Sequence, residues 1–469
     1  MNTGHTFGKC HGAGDPKHVG AEPEGSPIEA QGLGWKNTLG SGKGQDTITS
    51  GLEGAWTEQP TKRDNGYFDV LFGYEWELTK SPAGAQQWTP KNYRGPGVVD
   101  AHNTKKRHLP IMLTSDLAIR MDPKYSPIAK HFHSNPPAFQ EAFAKAWYKL
   151  THRDMGPVSR CLGPKVPPPQ LWQDPVPPLT YPTIHAPHHQ AWLKRAMLDQ
   201  LTPAQLVSLA WASASTFRQT DKRGGANGAR ICLVPQKDWT CNAGLQPSIA
   251  VLKRIQEQFN ANFSPVRVSM ADLIVLGGCA GIEAASSSNV DVPFAAGRTD
   301  ASQAMTDIPS FAVLEPIADG FRNFLADGIA ERPEILLVET ADRLALTAKE
   351  MTVLVGGFRS LGVGGPSLIR RFGQLNNEFF VNLLDDSLEW KEMHNGRYQG
   401  IDRKTGRTVW TGVSRIDLIF GSNSVLRGLA ELYACSDSDE MFTRDFCNAF
   451  AKVMNLDRFD LADNAISRL

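Results

Sequence analysis

The chain of 469 residues has no charge imbalance: Lys plus Arg equals Asp plus Glu, at 49 each. Without a basic field nucleic acid is not expected as a partner, and without an acidic run a solvating tail is excluded. Cysteine is scarce. The seven residues form no Cys-x-x-Cys pair, so neither a zinc knuckle nor a disulfide framework is indicated, and reduced thiols suit the cytoplasm. No apolar run is long enough for a bilayer, since the longest, 273–285, is interrupted by glycine. The opening Met1-Asn2-Thr3-Gly4-His5 has neither a basic nor an apolar leader region. These absences predict a cytoplasmic protein without a membrane partner, long enough for two to three domains.

Two stretches lack apolar periodicity. From Gly12 to Ser50 the sequence is rich in Gly, Pro, Ser and charge, which predicts a long irregular loop serving a site or an interface. Residues 163–190 hold nine prolines and read as a semi-rigid interdomain linker. His185, His188 and His189 lie there without a cysteine or acidic partner, so a solvated segment is expected rather than a metal site.

What is present is mostly helical. Phe139, Phe143 and Trp147 recur at i, i+4 and i+8, the stripe of an amphipathic helix. Ser115 and Asp116 resemble an N-cap before a short apolar helix. Thr202-Pro203-Ala204-Gln205 is a capping box with proline at the first helical position, and Ser269…Asp272 and Thr347…Glu350 repeat the signature. The loop from Arg223 to Arg230 superficially resembles a phosphate loop, but no strand precedes it and no Lys-Ser/Thr pair follows, so a structural turn is expected. Only Tyr398 to Val413 reads as a β-hairpin.

The two sides of the proline-rich segment repeat each other. Asn65-Gly66-Tyr67-Phe68 aligns with Asn377-Glu378-Phe379-Phe380, and the stripe Phe139/Phe143/Trp147 with Phe442/Phe446/Phe450. Working backwards, Gly4-His5 falls opposite Gly357-Phe358. The second copy has residues 191–357 ahead of that point and the first has four, so the first is expected to be the later half of a domain. His5 itself stands in Gly4-His5-Thr6-Phe7-Gly8-Lys9-Cys10-His11-Gly12-Ala13-Gly14. Glycines beside an imidazole let backbone approach a flat cofactor closely, although a packing histidine fits the same motif.

The runs GHTFGKCHGAG, TSGLEGAWTEQPTKRDNGYFDVLFGYEWELTKSPAGAQQW, LTSDLAIRMDP, AFAKAWYKLTHRDMGP, RGGANGARICLVPQKDW, ADLIVLGGCAGIE and MTVLVGGFRSLG together resemble bifunctional catalase-peroxidases of the plant-type haem peroxidase superfamily. The resemblance covers essentially the whole chain. It implies an all-α fold: residues 1–162 as the C-terminal part of a haem peroxidase domain, 163–190 as linker, and 191–469 as a complete, degenerate, haem-less peroxidase-like domain. It also implies decomposition of hydrogen peroxide and oxidation of small electron donors through haem b, in a homodimer.

Residue by residue, His5 matches the axial ligand of the haem iron. Asp116 matches the carboxylate on that ligand's other ring nitrogen, and Trp56 the tryptophan beside it. Lys9, His11 and Ser50 match positions along the haem edge and propionates, Arg153 a mobile arginine, and Cys10 replaces the usual threonine. The family's distal arginine and histidine and its Met-Tyr-Trp adduct precede the axial ligand, so the chain is expected to be N-terminally truncated and to lack them. In the second copy the R-x-x-W-H pattern reads Ser208-Leu209-Ala210-Trp211-Ala212. With Phe358 as well, that copy is expected to bind no iron. A second reading makes the chain a non-catalytic fragment acting as a structural or assembly module.

Overall fold

The computed structural model describes residues 2–12, 14–20, 27–29, 36–48, 51–288, 290–365, 368–393 and 396–461, and of Asn2 and Thr3 the backbone alone. Ser50 lies outside the described residues. The chain divides into two compact units, 1–151 and 152–469.

The first unit opens with a single turn, α1 (Asn2–His5), then runs irregularly to α2 (Gly66–Gly73). Antiparallel pairs β1 (Trp76–Lys80) with β2 (Gln86–Pro90) and β3 (Val98–Val99) with β4 (Arg107–His108) follow. Three helices close the unit: α3 (Thr114–Met121), α4 (Tyr125–Ser134) and α5 (Pro136–His152). Its core is small, built from Trp56, Tyr67, Phe68, Leu71, Trp76, Ile111, Met112 and Phe139. The α5 stripe is largely uncovered: Phe139 is buried, while Trp147 is 53% exposed.

The first α-helices lying wholly in the second unit are α6 (Pro187–Leu198), α7 (Pro203–Ala214), α8 (Gln246–Asn262), α9 (Met270–Ala285) and α10 (Ile308–Ala312). The short pair β5 (Ala318–Asp319) and β6 (Phe324–Leu325) leads to α11 (Pro333–Arg343), α12 (Ala348–Leu361) and α13 (Glu378–Leu383). A three-stranded sheet β7 (Leu388–Glu392), β8 (Tyr398–Asp402), β9 (Thr408–Val413) precedes α14 (Arg415–Ser422), α15 (Ser424–Ala434) and α16 (Asp439–Met454). Residues 152–186 belong to this unit: Ile184 lies in its core and Asp174 accepts from Nε and Nη2 of Arg223, at 2.7 and 2.9 Å.

Sequence chemistry explains these elements. Thr202 and Thr347 form the expected reciprocal caps with Gln205 and Glu350. Ser269 caps α9, but Asp272 does not reach back; its carboxylate is committed to Arg298 at 3.0 Å, both side chains fully buried. The glycines of α9 admit its neighbour α7, because a Cβ on Gly278 would meet that of Ala210 at 2.5 Å. The Tyr398–Val413 hairpin is present. The β1–β2 hairpin was not expected.

Both units repeat one order: short helix, sheet, three helices. Asn65 donates to the carbonyls of Phe132 and His133 at the end of α4, and Asn377 to those of Tyr433 and Cys435 at the end of α15. Phe68 meets Phe139 edge-on at 5.1 Å, as Phe380 meets Phe442 at 5.6 Å. The duplication is structural as well as sequential.

A histidine held by a buried carboxylate

Local backbone pairing assembles the site. Cys10 and Gly54 exchange N–H···O bonds of 2.9 and 3.0 Å, and the N–H of Gly8, at φ +94°, donates to the Pro60 carbonyl at 2.7 Å. Ile111 in turn donates to Ala55 at 2.8 Å. These tie the segment after His5 to the one carrying Trp56 and to the entry of α3, which carries Asp116.

The result is a compact cluster. The His5 and Trp56 rings stack at 4.0 Å with 14° between their planes. His5 Nδ1 lies 2.7 Å from Asp116 Oδ1, and Trp56 Nε1 donates to Asp116 Oδ2 at 2.9 Å. Asp116 is completely buried. It is not the N-cap that its sequence suggests but the third residue of α3, and it caps by reaching back: its Oδ2 accepts the N–H of the N-cap residue Leu113 at 2.8 Å.

Sequence reasoning missed the fourth donor. Tyr67, fully buried on α2, donates its hydroxyl to Asp116 Oδ1 at 2.8 Å. Burial, and then the adjacent carboxylate charge, push this phenol far above its ordinary range, so it stays protonated and donates. One signal was available, since the aligned residue of the second copy is Phe379, which keeps the ring and loses the hydroxyl.

This donor set would suit His5 to hold a haem iron through Nε2. A carboxylate on Nδ1 fixes the neutral tautomer with its lone pair on Nε2, and raises the basicity of that nitrogen. No described residue hydrogen-bonds His5 Nε2. Lys9 and His11 converge on Glu53, at 3.4 and 2.9 Å, a partner the sequence did not suggest. Arg153 belongs to the second unit, where it lines a cleft with Lys222, Arg223, Arg230 and Asp457. Among the described residues no group of three His, Cys, Asp or Glu side chains stands ready for a bare metal ion.

The second unit uses the same frame differently. Phe358, where the first copy has His5, is fully buried 4.7 Å from Trp211 and 5.7 Å from Phe446. Asp417, again the third residue of its helix, pairs with Arg359 at 2.8 Å and accepts from the Ser414 N–H and hydroxyl. Arg359 also donates to the Phe321 and Gly320 carbonyls and to Asn323. Among the described residues no imidazole stands beside Trp211 and Arg359 there.

A family model described as peroxidase matches residues 188–436, and the chain belongs to that family. Among the relatives it matches are catalase-peroxidases. It is 56% identical over 480 aligned residues to the catalase-peroxidase of Rhodopirellula baltica, covering 98% of this chain and 56% of that protein. Against those of an Azoarcus species and Acaryochloris marina, identity is 58% and 57%, with 98% of this chain and 64% and 65% of theirs covered. The chain thus spans between 56% and 65% of the length of these curated relatives. The predominantly helical fold and the family agree with what the sequence implied. No described helix is long and apolar enough to cross a membrane.

Proposed function

We propose that the chain carries the proximal face of a haem b site, in a protein that decomposes hydrogen peroxide and oxidises small electron donors. The observation that carries this is the buried Asp116 holding His5 by Nδ1 while Trp56 stacks on the ring. When bound, the haem supplies an iron that exchanges electrons with peroxide and donor. The protein's own part is to keep a proton on Nδ1, facing Asp116, present Nε2, and stop the imidazole turning. Lys9 and His11 would face the propionates, competing with Glu53 for their charge. Ser50 and Arg153 keep the edge and mobile-arginine roles that the resemblance implies. Residues 1–162 would form the haem-binding part and 191–469 its partner domain, joined by 163–190, in a cytoplasmic homodimer.

A second reading has its own observation. Phe358, Arg359 and Trp211 fill the position equivalent to the haem ligand with packed rings and a buried ion pair, which suits residues 191–469 to a structural or assembly role. Haem titrated into the purified chain separates the readings. The first expects a Soret band that His5→Gly removes and added imidazole restores. A spectrum unchanged by that substitution overturns it and favours the module.

A further inference from the structure

The Asp116 carboxylate is saturated. Oδ1 takes His5 Nδ1 at 2.7 Å and the Tyr67 hydroxyl at 2.8 Å; Oδ2 takes Trp56 Nε1 at 2.9 Å and the Leu113 N–H at 2.8 Å. A carboxylate offers about four lone-pair sites, so none is left over. Three of the four donors have an evident duty. Leu113 closes the start of α3, His5 is the residue being held, and Trp56 is stacked on it. Tyr67 touches neither the helix end nor the stacked face; its ring meets His5 only obliquely, with centroids 6.3 Å apart. Its hydroxyl shares the one oxygen that also receives the histidine proton.

Two donors on one oxygen compete for its electron density, and each weakens the other's bond. We propose that Tyr67 is a positioning residue for the His5 proton: its hydroxyl makes Oδ1 a poorer acceptor, which keeps the shared proton on Nδ1 instead of letting it pass to the carboxylate. The bond at issue is N–H in one extreme and O–H in the other, and the proton alone moves. A neutral imidazole and an imidazolate differ greatly as donors through Nε2, so a hydroxyl that never touches the ring's free nitrogen would set how strongly that nitrogen binds iron.

The second copy supports the assignment. Where the ligand position is Phe358, the Tyr67 position is Phe379, and the aspartate is instead committed to Arg359. The hydroxyl is present only where there is a histidine proton to govern. Phe379 also shows that phenylalanine fits this place on the helix, fully buried.

The consequence for iron rests on His5 being the ligand, but the test of the proton's placing does not need haem. In the ¹⁵N-labelled chain without haem, the His5 Nδ1–H proton resonance, assigned by its loss in His5→Gln, should move downfield in Tyr67→Phe as the bond to Asp116 shortens. Replacing Tyr67 by 3,5-difluorotyrosine, whose hydroxyl is a stronger donor, should move it upfield and keeps the test open if Tyr67→Phe folds poorly. With haem added, the ferric/ferrous potential of Tyr67→Phe should fall. A resonance unmoved by both substitutions overturns the proposal. A resonance that moves as expected in a chain that takes up no haem leaves it standing and overturns the ligand reading instead.

Discussion

Asp116 and Asp417 occupy the same place, third residue of the first helix after the sheet, and both are completely buried. One holds a histidine with help from a tryptophan and a tyrosine; the other neutralises an arginine. The frame conserves a buried negative charge and lets its partner vary. Burying a carboxylate is tolerable only where donors or an opposite charge compensate it. Where the histidine position is Phe358, its neighbour Arg359 supplies that compensation from the next residue.

Substitutions can break this comparison from either side. Arg359→Met should be the most damaging, since it strands Asp417 without its cation: about 3–5 kcal/mol of stability lost from the second unit by denaturant unfolding. Replacing both partners, Arg359→Met with Asp417→Leu, should recover much of that loss. Phe446→Ala follows, because the ring is fully buried and lies where a Cβ on Gly357 would already collide at 2.2 Å. A cavity there should cost about 3–4 kcal/mol.

Asp116→Asn keeps the shape and removes the charge. On the ligand reading it should weaken haem binding roughly 10–100-fold, about 1.4–2.8 kcal/mol, by absorbance titration. Phe379→Tyr asks whether the second frame can house the hydroxyl of the first. Asp417 is already taken by Arg359 and Ser414, so the group would be buried unpaired, destabilising by about 1–2 kcal/mol. Phe143→Ala on the open face of α5 should change the first unit's stability least, by under about 1 kcal/mol. A loss there as large as that of Phe446→Ala would mean the two stripes are covered alike.

Much of the fold was legible because helices announce themselves by spacing. The stripes of α5 and α16 and the caps of α7 and α12 follow from side-chain period and cap chemistry alone. The β1–β2 hairpin was not, since β1 is mostly exposed and its Trp76 and Leu78 give too short an alternation. His5, Asp116 and Trp56 were found through resemblance. Read by composition, Asp116 is a helix cap and Trp56 is core, because nothing local shows that two residues 60 apart share a bond. Tyr67 was hidden for a related reason. A buried tyrosine within an apolar helix looks like packing until its hydroxyl has a partner. Glu53, between Leu52 and Gly54, carried no signal at all.

The Arg359–Asp417 pair also bears on how the second unit opens. It joins α12 to α14 across 58 residues of sequence, and Arg359 reaches the loop at Gly320–Asn323 as well. Any partial opening that separates these elements exposes an uncompensated charge in a low-dielectric interior. Openings of α12 that part this pair are therefore penalised even when the rest of the unit stays folded. Its amide hydrogens should exchange with solvent only when the whole unit unfolds, which makes that helix the slowest clock in the molecule.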